Sequence, residues 1–263
     1  MKPIFRRGLG LLVILCFAGL WLLSAGMSAR QRRTQTCQGQ GKLDVVVTDS
    51  LERNFVGRAD VEKWLEEEYR AYAGMPLDSV DLGRIEQIVG AHSGVREAQA
   101  WLTDDGILHV QLSQRQPVIR FDNGQYSFYA DEGGFLFPVQ EKDKADVPVV
   151  DGKLPVKVPK GFKGLPEDPA QQRWLLQMVG FTKEMKGTVW EKNIVQVRVD
   201  ENENLLLLPR EGREQFIFGP PVRVQDKFRL MEAYYQSVAP SRDPGYYGVV
   251  DLRYKGQLVC RKK

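Results

Sequence analysis

From Gly8 to Met27 the chain reads GLGLLVILCFAGLWLLSAGM, without a charge. About 20 helical residues span about 30 Å, the thickness of a bilayer's hydrocarbon layer, so residues 8–28 are predicted to form a single N-terminal transmembrane helix. Lys2, Arg6 and Arg7 precede the run and Arg30, Arg32 and Arg33 follow it, so positive charge hardly chooses a side. Length chooses instead: residues 1–7 make a small basic tail on the cytoplasmic side, and the long remainder is exported. The small residues Ser24, Ala25, Gly26, Ser28 and Ala29 also resemble a signal-peptide cleavage region, but the apolar run exceeds the usual h-region of about 7–15 residues. That excess favours an uncleaved anchor. Thr34, Gln35 and Thr36 before Cys37 are not a lipoprotein pattern, and residues 29–42, rich in Gln and Gly, are predicted to be a flexible spacer.

A compact pattern occupies residues 43–117. Leu43, Val45 and Val47 alternate as in a strand, and Asn54-Phe55-Val56-Gly57 reads as a turn. Asp60 is the expected N-cap of a helix carrying Val61, Trp64, Leu65 and Tyr69 on one face. Gly74-Met75-Pro76-Leu77 breaks it, and a second helix starts near Asp78–Asp81, with Leu82, Ile85, Ile88 and Val89 as its apolar stripe. Two strands follow, Val95–Leu102 and Ile107–Leu112, joined by Thr103-Asp104-Asp105-Gly106, where Asp-Gly predicts a type I′ turn. The order is β-α-α-β-β.

Residues 118–263 are predicted to be a mostly antiparallel β domain with flanking helices, which makes the chain α+β overall. Short strands are read at Val118–Phe121, Tyr126–Ala130, Phe135–Pro138, Ile194–Val199, Leu205–Leu208 and Glu214–Phe218. Pro148, Pro155, Pro159 and Pro166 mark an irregular stretch. Pro169–Lys186 and Val222–Val238 have helical periodicity, the first with Trp174, Leu175, Met178, Phe181 and Met185 inward, the second with Val224, Phe228, Met231 and Tyr235. Gly248–Arg261 reads as a terminal strand-like stretch around Gly256.

Composition adds little chemistry. The chain has 263 residues, a net charge of +3 and 27% charged residues, so neither disorder nor a nucleic-acid footprint is indicated. Cys16, Cys37 and Cys260 are too few and too scattered for a disulfide framework, and His92 and His109 lack partners at metal-ligand spacing. No phosphate loop, dinucleotide fingerprint or nucleophile elbow is present; Gly90-Ala91-His92-Ser93-Gly94 is a helix-to-strand turn. Glu66, Glu67 and Glu68 are a solvated helix face, and Asp104-Asp105 belong to the hairpin. No cofactor and no enzyme activity are expected. Tyr246 and Tyr247 beside the terminal strand suit either a protein interface or an edge of the core.

The whole chain resembles the bacterial cell-division family FtsQ/DivIB, through the order of its segments as much as through any one motif. The β-α-α-β-β unit resembles a POTRA domain at Asn54-Phe55-Val56, Gly74-Met75-Pro76-Leu77-Asp78 and Gly94-Val95-Arg96-Glu97-Ala98. Gln114-Arg115-Gln116-Pro117-Val118 resembles the family's junction between its two domains. Tyr129-Ala130-Asp131-Glu132-Gly133-Gly134 resembles its next hairpin, Val147–Gly152 the following strand, and Val250-Asp251-Leu252-Arg253-Tyr254 its terminal strand. The resemblance implies a non-enzymatic scaffold of the divisome, held in the inner membrane by residues 8–28, mostly periplasmic, and concentrated at the septum. It implies binding of FtsB (DivIC-like) and FtsL through the terminal strand, and of other division proteins through the POTRA unit. Arg253, Tyr254 and Gly256, with Leu252 and Tyr247 beside them, are the implied partner-binding residues. There a partner strand would complete an open sheet edge, Arg253 would pair with an acid and Tyr254 would bury its ring.

After Tyr254 the chain departs from the family pattern: Lys255–Lys263 lacks the family's more C-terminal aromatic contact. Three other readings compete. A POTRA-bearing assembly or secretion protein would need a C-terminal β-barrel, which the residues after the POTRA-like unit fit poorly. An anchored periplasmic enzyme would need a deep polar pocket. A generic envelope-binding module would not collect at the septum.

Overall fold

The structure, a computed structural model, describes residues 17–21, 35–38, 42–48, 56–139 and 144–262. Of the expected anchor, residues 17–21 are described; they are helical, with Phe17, Leu20 and Trp21 exposed. The rest of 8–28, the tail 1–7 and the turn residues Asn54 and Phe55 lie outside the described residues. Among the described residues no helix is long and apolar enough to cross a membrane. The chain divides into two compact units, Met1–Gln114 and Arg115–Lys263.

The first unit is a three-stranded sheet backed by two helices. Strands β1 (Leu43–Val47), β2 (Val95–Leu102) and β3 (Leu108–Gln114) lie in the order β1-β3-β2, with β1 parallel and β2 antiparallel to β3. The central strand alternates strictly, sending Leu108, Val110 and Leu112 into the core. Helices α1 (Arg58–Tyr69) and α2 (Leu82–Gly90) meet them with Val61, Leu65, Ile85 and Val89. Trp64 stays half-buried and stacks on His92 at 3.5 Å between ring centroids.

Three local readings change. Asp60 is the third residue of α1 rather than its cap: Gly57 holds the cap position, and its N–H donates to the Asp60 carboxylate at 2.9 Å. Asp81 caps α2 by accepting the Arg84 N–H at 2.9 Å. The β2–β3 turn is not type I′, which needs positive φ at two residues. Only Gly106 has it, at +83°, and Gly106 N–H donates to Thr103 C=O while Thr103 N–H donates to Ile107 C=O. This is a type I turn closed by a glycine bulge, braced by the Thr103 hydroxyl on Asp105. A Cβ on Gly106 would lie 2.5 Å from the Thr36 carbonyl oxygen, because residues 35–38 pack here. Cys37 is buried in the core, its N–H donates to Met75 C=O, and Gln38 N–H donates to Gly106 C=O. Residues 35–38 of the expected spacer are therefore part of this unit.

The second unit is a nine-stranded mixed sheet in the order β12-β11-β10-β9-β8-β7-β4-β5-β6. Its strands are β4 (Ile119–Asp122), β5 (Ser127–Ala130), β6 (Leu136–Pro138), β7 (Val149–Gly152), β8 (Ile194–Val199), β9 (Leu205–Pro209), β10 (Gln215–Gly219), β11 (Tyr247–Asp251) and β12 (Val259–Lys262). Most neighbours are antiparallel, as expected; the parallel pairs are β4–β7, β7–β8 and β10–β11. Helix α3 (Pro169–Met185), followed by the single turn α4 (Trp190–Asn193), links β7 to β8, and α5 (Val224–Ala233) links β10 to β11. Both crossovers step the same way between strands of the same direction, so the handedness rule puts α3 and α5 on one face. That face holds the core: Phe121, Phe128, Phe181, Phe216, Phe218 and Phe228 with Trp174 and Trp190.

Helix α5 continues through a π turn, Tyr234–Val238. Tyr234 is buried there, while the expected Tyr235 is half-buried, packed against the same core with its hydroxyl on Glu214. Lys227, on α5, is 2% exposed. Its ammonium donates to Pro220 C=O at 2.7 Å and sits 4.6 Å from the Phe218 ring centroid. Burial, with repulsion from Arg223, pulls its pKa down from 10.5 to about 8. The folded pKa lies below the unfolded one, so the charged amine weakens the fold below about pH 8, and the cost fades between about 8 and 10.5. Relative to Lys227→Met, the native protein should therefore gain stability over that window, by on the order of 3 kcal/mol. Denaturant melts of both proteins at pH 7.5 and 10.5, about the ends of the window, check it; parallel pH profiles would contradict it.

Candidate functional site

A sheet has two rims, and this one treats them differently. At the β6 end, Leu136 and Gly164 exchange both backbone hydrogen bonds, at 2.9 and 3.0 Å, and Pro138 closes the strand. Such a rim offers little to another chain. At the opposite end lies β12, and among the described residues nothing pairs with its outer side.

The stretch expected as one terminal strand is two. Strand β11 ends at Asp251, the chain turns through residues 252–258, and β12 returns antiparallel with Val250 facing Cys260 and Asp251 facing Val259. The rim of β11 that the sequence reading left open is thus filled by the chain's own β12, and β11 is an interior strand between β10 and β12. The open rim exists one strand further out.

Asp251 organises the turn. It is 0% exposed although it points away from the helix face, because arginines cover it. Arg253 donates to its carboxylate from Nε at 2.9 Å and from Nη2 at 2.6 Å, and its backbone N–H adds a bond at 3.2 Å. Arg261, across on β12, reaches the same carboxylate at 3.3 Å. These bonds, Arg253's first, hold the Asp251 carboxyl below its ordinary pKa. Gly219 leaves the space in which Arg253 lies; a Cβ there would come within 2.7 Å of the Arg253 Cγ.

The five sequence-predicted residues therefore separate. Leu252 is 0% exposed in the core, so it cannot meet a partner. Arg253 is bound to Asp251, with its side chain still partly in solvent. Tyr254 is 50% exposed at the start of the turn, and Gly256 sits there with φ +69°. Tyr247 is half-buried, its ring edge-on to Tyr246 at 4.9 Å. Sequence reasoning missed Asp251 and Arg261. Asp251 and Arg253 at i and i+2 share one face of an extended chain, and that spacing was a usable signal.

The sheet face away from the helices carries a cross-strand row on either side of this site: Asp151, Arg198, Leu206, Ile217, Asp251 and Val259 are consecutive partners. Arg198 pairs with Asp151 at 3.1 Å, while Val195 and Val259 stay exposed. Half-apolar surface thus leads up to the open rim.

Residues 116–261 match a family described as FtsQ/DivIB, C-terminal related, and residues 35–113 match the POTRA-like domain. No curated protein matches the chain.

Proposed function

From its place in the FtsQ/DivIB family, to which the chain belongs, we propose that this protein is a bitopic division scaffold that offers the outer rim of β12 to a partner strand. Proteins of the family are non-enzymatic, division-associated scaffolds that act through protein–protein contacts. The proposed partners are an FtsB-like (DivIC-like) chain and FtsL at β12, with other division proteins on the POTRA-like unit and residues 8–28 as the inner-membrane anchor. The proposed place of action is the septum, where the protein links early division proteins to septal peptidoglycan synthesis.

One observation carries the reading. The β6 rim is bridged by backbone while, among the described residues, the β12 rim is not, and Tyr254 stands exposed in the turn that leads into β12. An uncapped rim exposes N–H and C=O groups that an added strand satisfies, and a nearby half-exposed aromatic supplies apolar anchoring. Arg253 enters this reading as the group that fixes the turn, rather than as a contact in its own right.

The test is binding of the full chain to the FtsB-like protein of the same cell. Tyr254→Ala should weaken it about 10-fold, as loss of a partly buried aromatic contact does, with the circular dichroism spectrum unchanged. Unaltered affinity would remove Tyr254 from the interface. A tagged full chain spread evenly around the envelope in dividing cells would instead favour the generic binding module.

A further inference from the structure

A cleft of about 560 Å³ opens beside the far end of the same strand. Its walls include Arg213 and Glu214 at the entry to β10, Tyr235 from the π turn, and Arg242, Tyr246 and Tyr247 from the loop into β11. Tyr247 faces Lys262 in the β11–β12 register, so the cleft begins where β12 ends.

Its charges are unequally occupied. Glu214 is 7% exposed and already accepts the Tyr235 hydroxyl and the Arg213 backbone N–H, the latter at 2.9 Å. Asp243 also lines the cleft, exposed on its loop. Against them stand three cations. Arg242 lies 5.5 Å and the Lys262 ammonium 5.0 Å from the Tyr246 ring centroid. Arg213 flanks Gly245, where an added Cβ would lie 3.1 Å from its Cδ. Among the described residues neither Arg213 nor Arg242 makes an ion pair, while Arg253 and Arg261 on the other side of the edge both do. The site is thus an aromatic floor beside three cations that, among the described residues, make no ion pair.

We propose that this cleft receives an acidic residue of the chain that completes β12, its carboxylate set among Arg213, Arg242 and Lys262 and its neighbours lying on Tyr246 and Tyr247. The inference rests on the proposed β12 rim. It adds a rule of selection: backbone pairing along β12 accepts many sequences, and the cleft chooses those with a carboxylate where the added strand passes Lys262. Charge-assisted bonds to a guanidinium fork supply the preference, and an aromatic floor suits the apolar residue beside it.

The test uses synthetic peptides of about 12 residues, long enough to add one strand. Each has an alternating Thr-Val core and carries a pair of Glu, Gln or Lys residues at one end, each end being tried in turn. Binding to the full chain is read by fluorescence anisotropy at low and high ionic strength. With the pair at one of the two ends, the Glu peptide should bind about 10-fold tighter than its Gln twin at low salt, and the Lys peptide weakest. The Arg213→Gln/Arg242→Gln double variant should erase that difference while the Gln peptide binds as before. Equal binding of the Glu and Gln twins at both ends, or a preference that survives in the double variant, would overturn the cleft and leave the rim standing. Failure of every peptide to bind would overturn the rim, and the cleft with it.

Discussion

Replacing Arg253 by glutamate is expected to lower stability by about 3 kcal/mol or more, the cost of leaving a buried carboxylate beside an unpaired like charge. Asp251 has no exposed surface and takes three of its bonds from Arg253. The substitution removes both side-chain bonds and sets a second carboxylate in their place. Arg261 remains as a partner and Arg253 is 38% exposed, so water and Arg261 hold the loss toward the lower end of that range. Chemical denaturation with Arg253→Glu and Arg253→Lys should give the order native, Lys, Glu. A loss under about 0.5 kcal/mol for Glu, the size of an ordinary surface change, would contradict the clasp. A pH signature accompanies it. The folded pKa of Asp251 lies below its ordinary value of 3.8, so its stabilisation is complete above the unfolded pKa and is lost as pH falls through the folded one. Native protein should lose this increment below about pH 4, and Asp251→Asn should not.

Backbone methylation of the partner should have a similarly large effect. A strand peptide from the FtsB-like partner, N-methylated on alternate residues facing β12, should bind about 100-fold more weakly, since each methyl removes a donor and blocks close approach. Methyl groups on the alternate set, facing away, should cost little. The contrast separates strand addition from side-chain docking, because both peptides keep every side chain. Equal affinities for the two sets would remove β-augmentation from the account.

Most elements of both units follow from local pattern. The α+β class, the strong periodicities of Pro169–Met185 and Ile85–Val89, and the strand alternation at Leu108–Gln114 all appear where the hydrophobic spacing puts them. What the chain order could not give was which rim is open. Gly256 inside a strand-like stretch was compatible with a kink, and the reversal at residues 252–258 goes with Asp251 being sealed by one arginine of the turn and one of β12. That is a tertiary contact. The same holds for Tyr235, whose half-buried place follows from its hydroxyl on Glu214, across from the helix, rather than from a 3.6-residue period. The packed segment at Cys37 escaped notice because the stretch around it is rich in Gln and Gly; contacts with Gly74, Met75, Leu77 and Gly106, distant in sequence, hold it. Leu252 belonged to a matching motif, yet it serves the core rather than the surface.

The account rests on one physical claim: outward-facing amides of Val259–Lys262, which find no partner among the described residues, are completed by another protein. Residue-resolved amide hydrogen exchange on the full chain, with and without the FtsB-like partner, tests it most directly. The predicted result is rapid exchange of the outward amides of β12 in the free protein and strong protection once the partner is bound, with β10 and β11 protected throughout. Protection of every β12 amide before the partner is added, or none gained after it binds, would contradict the claim.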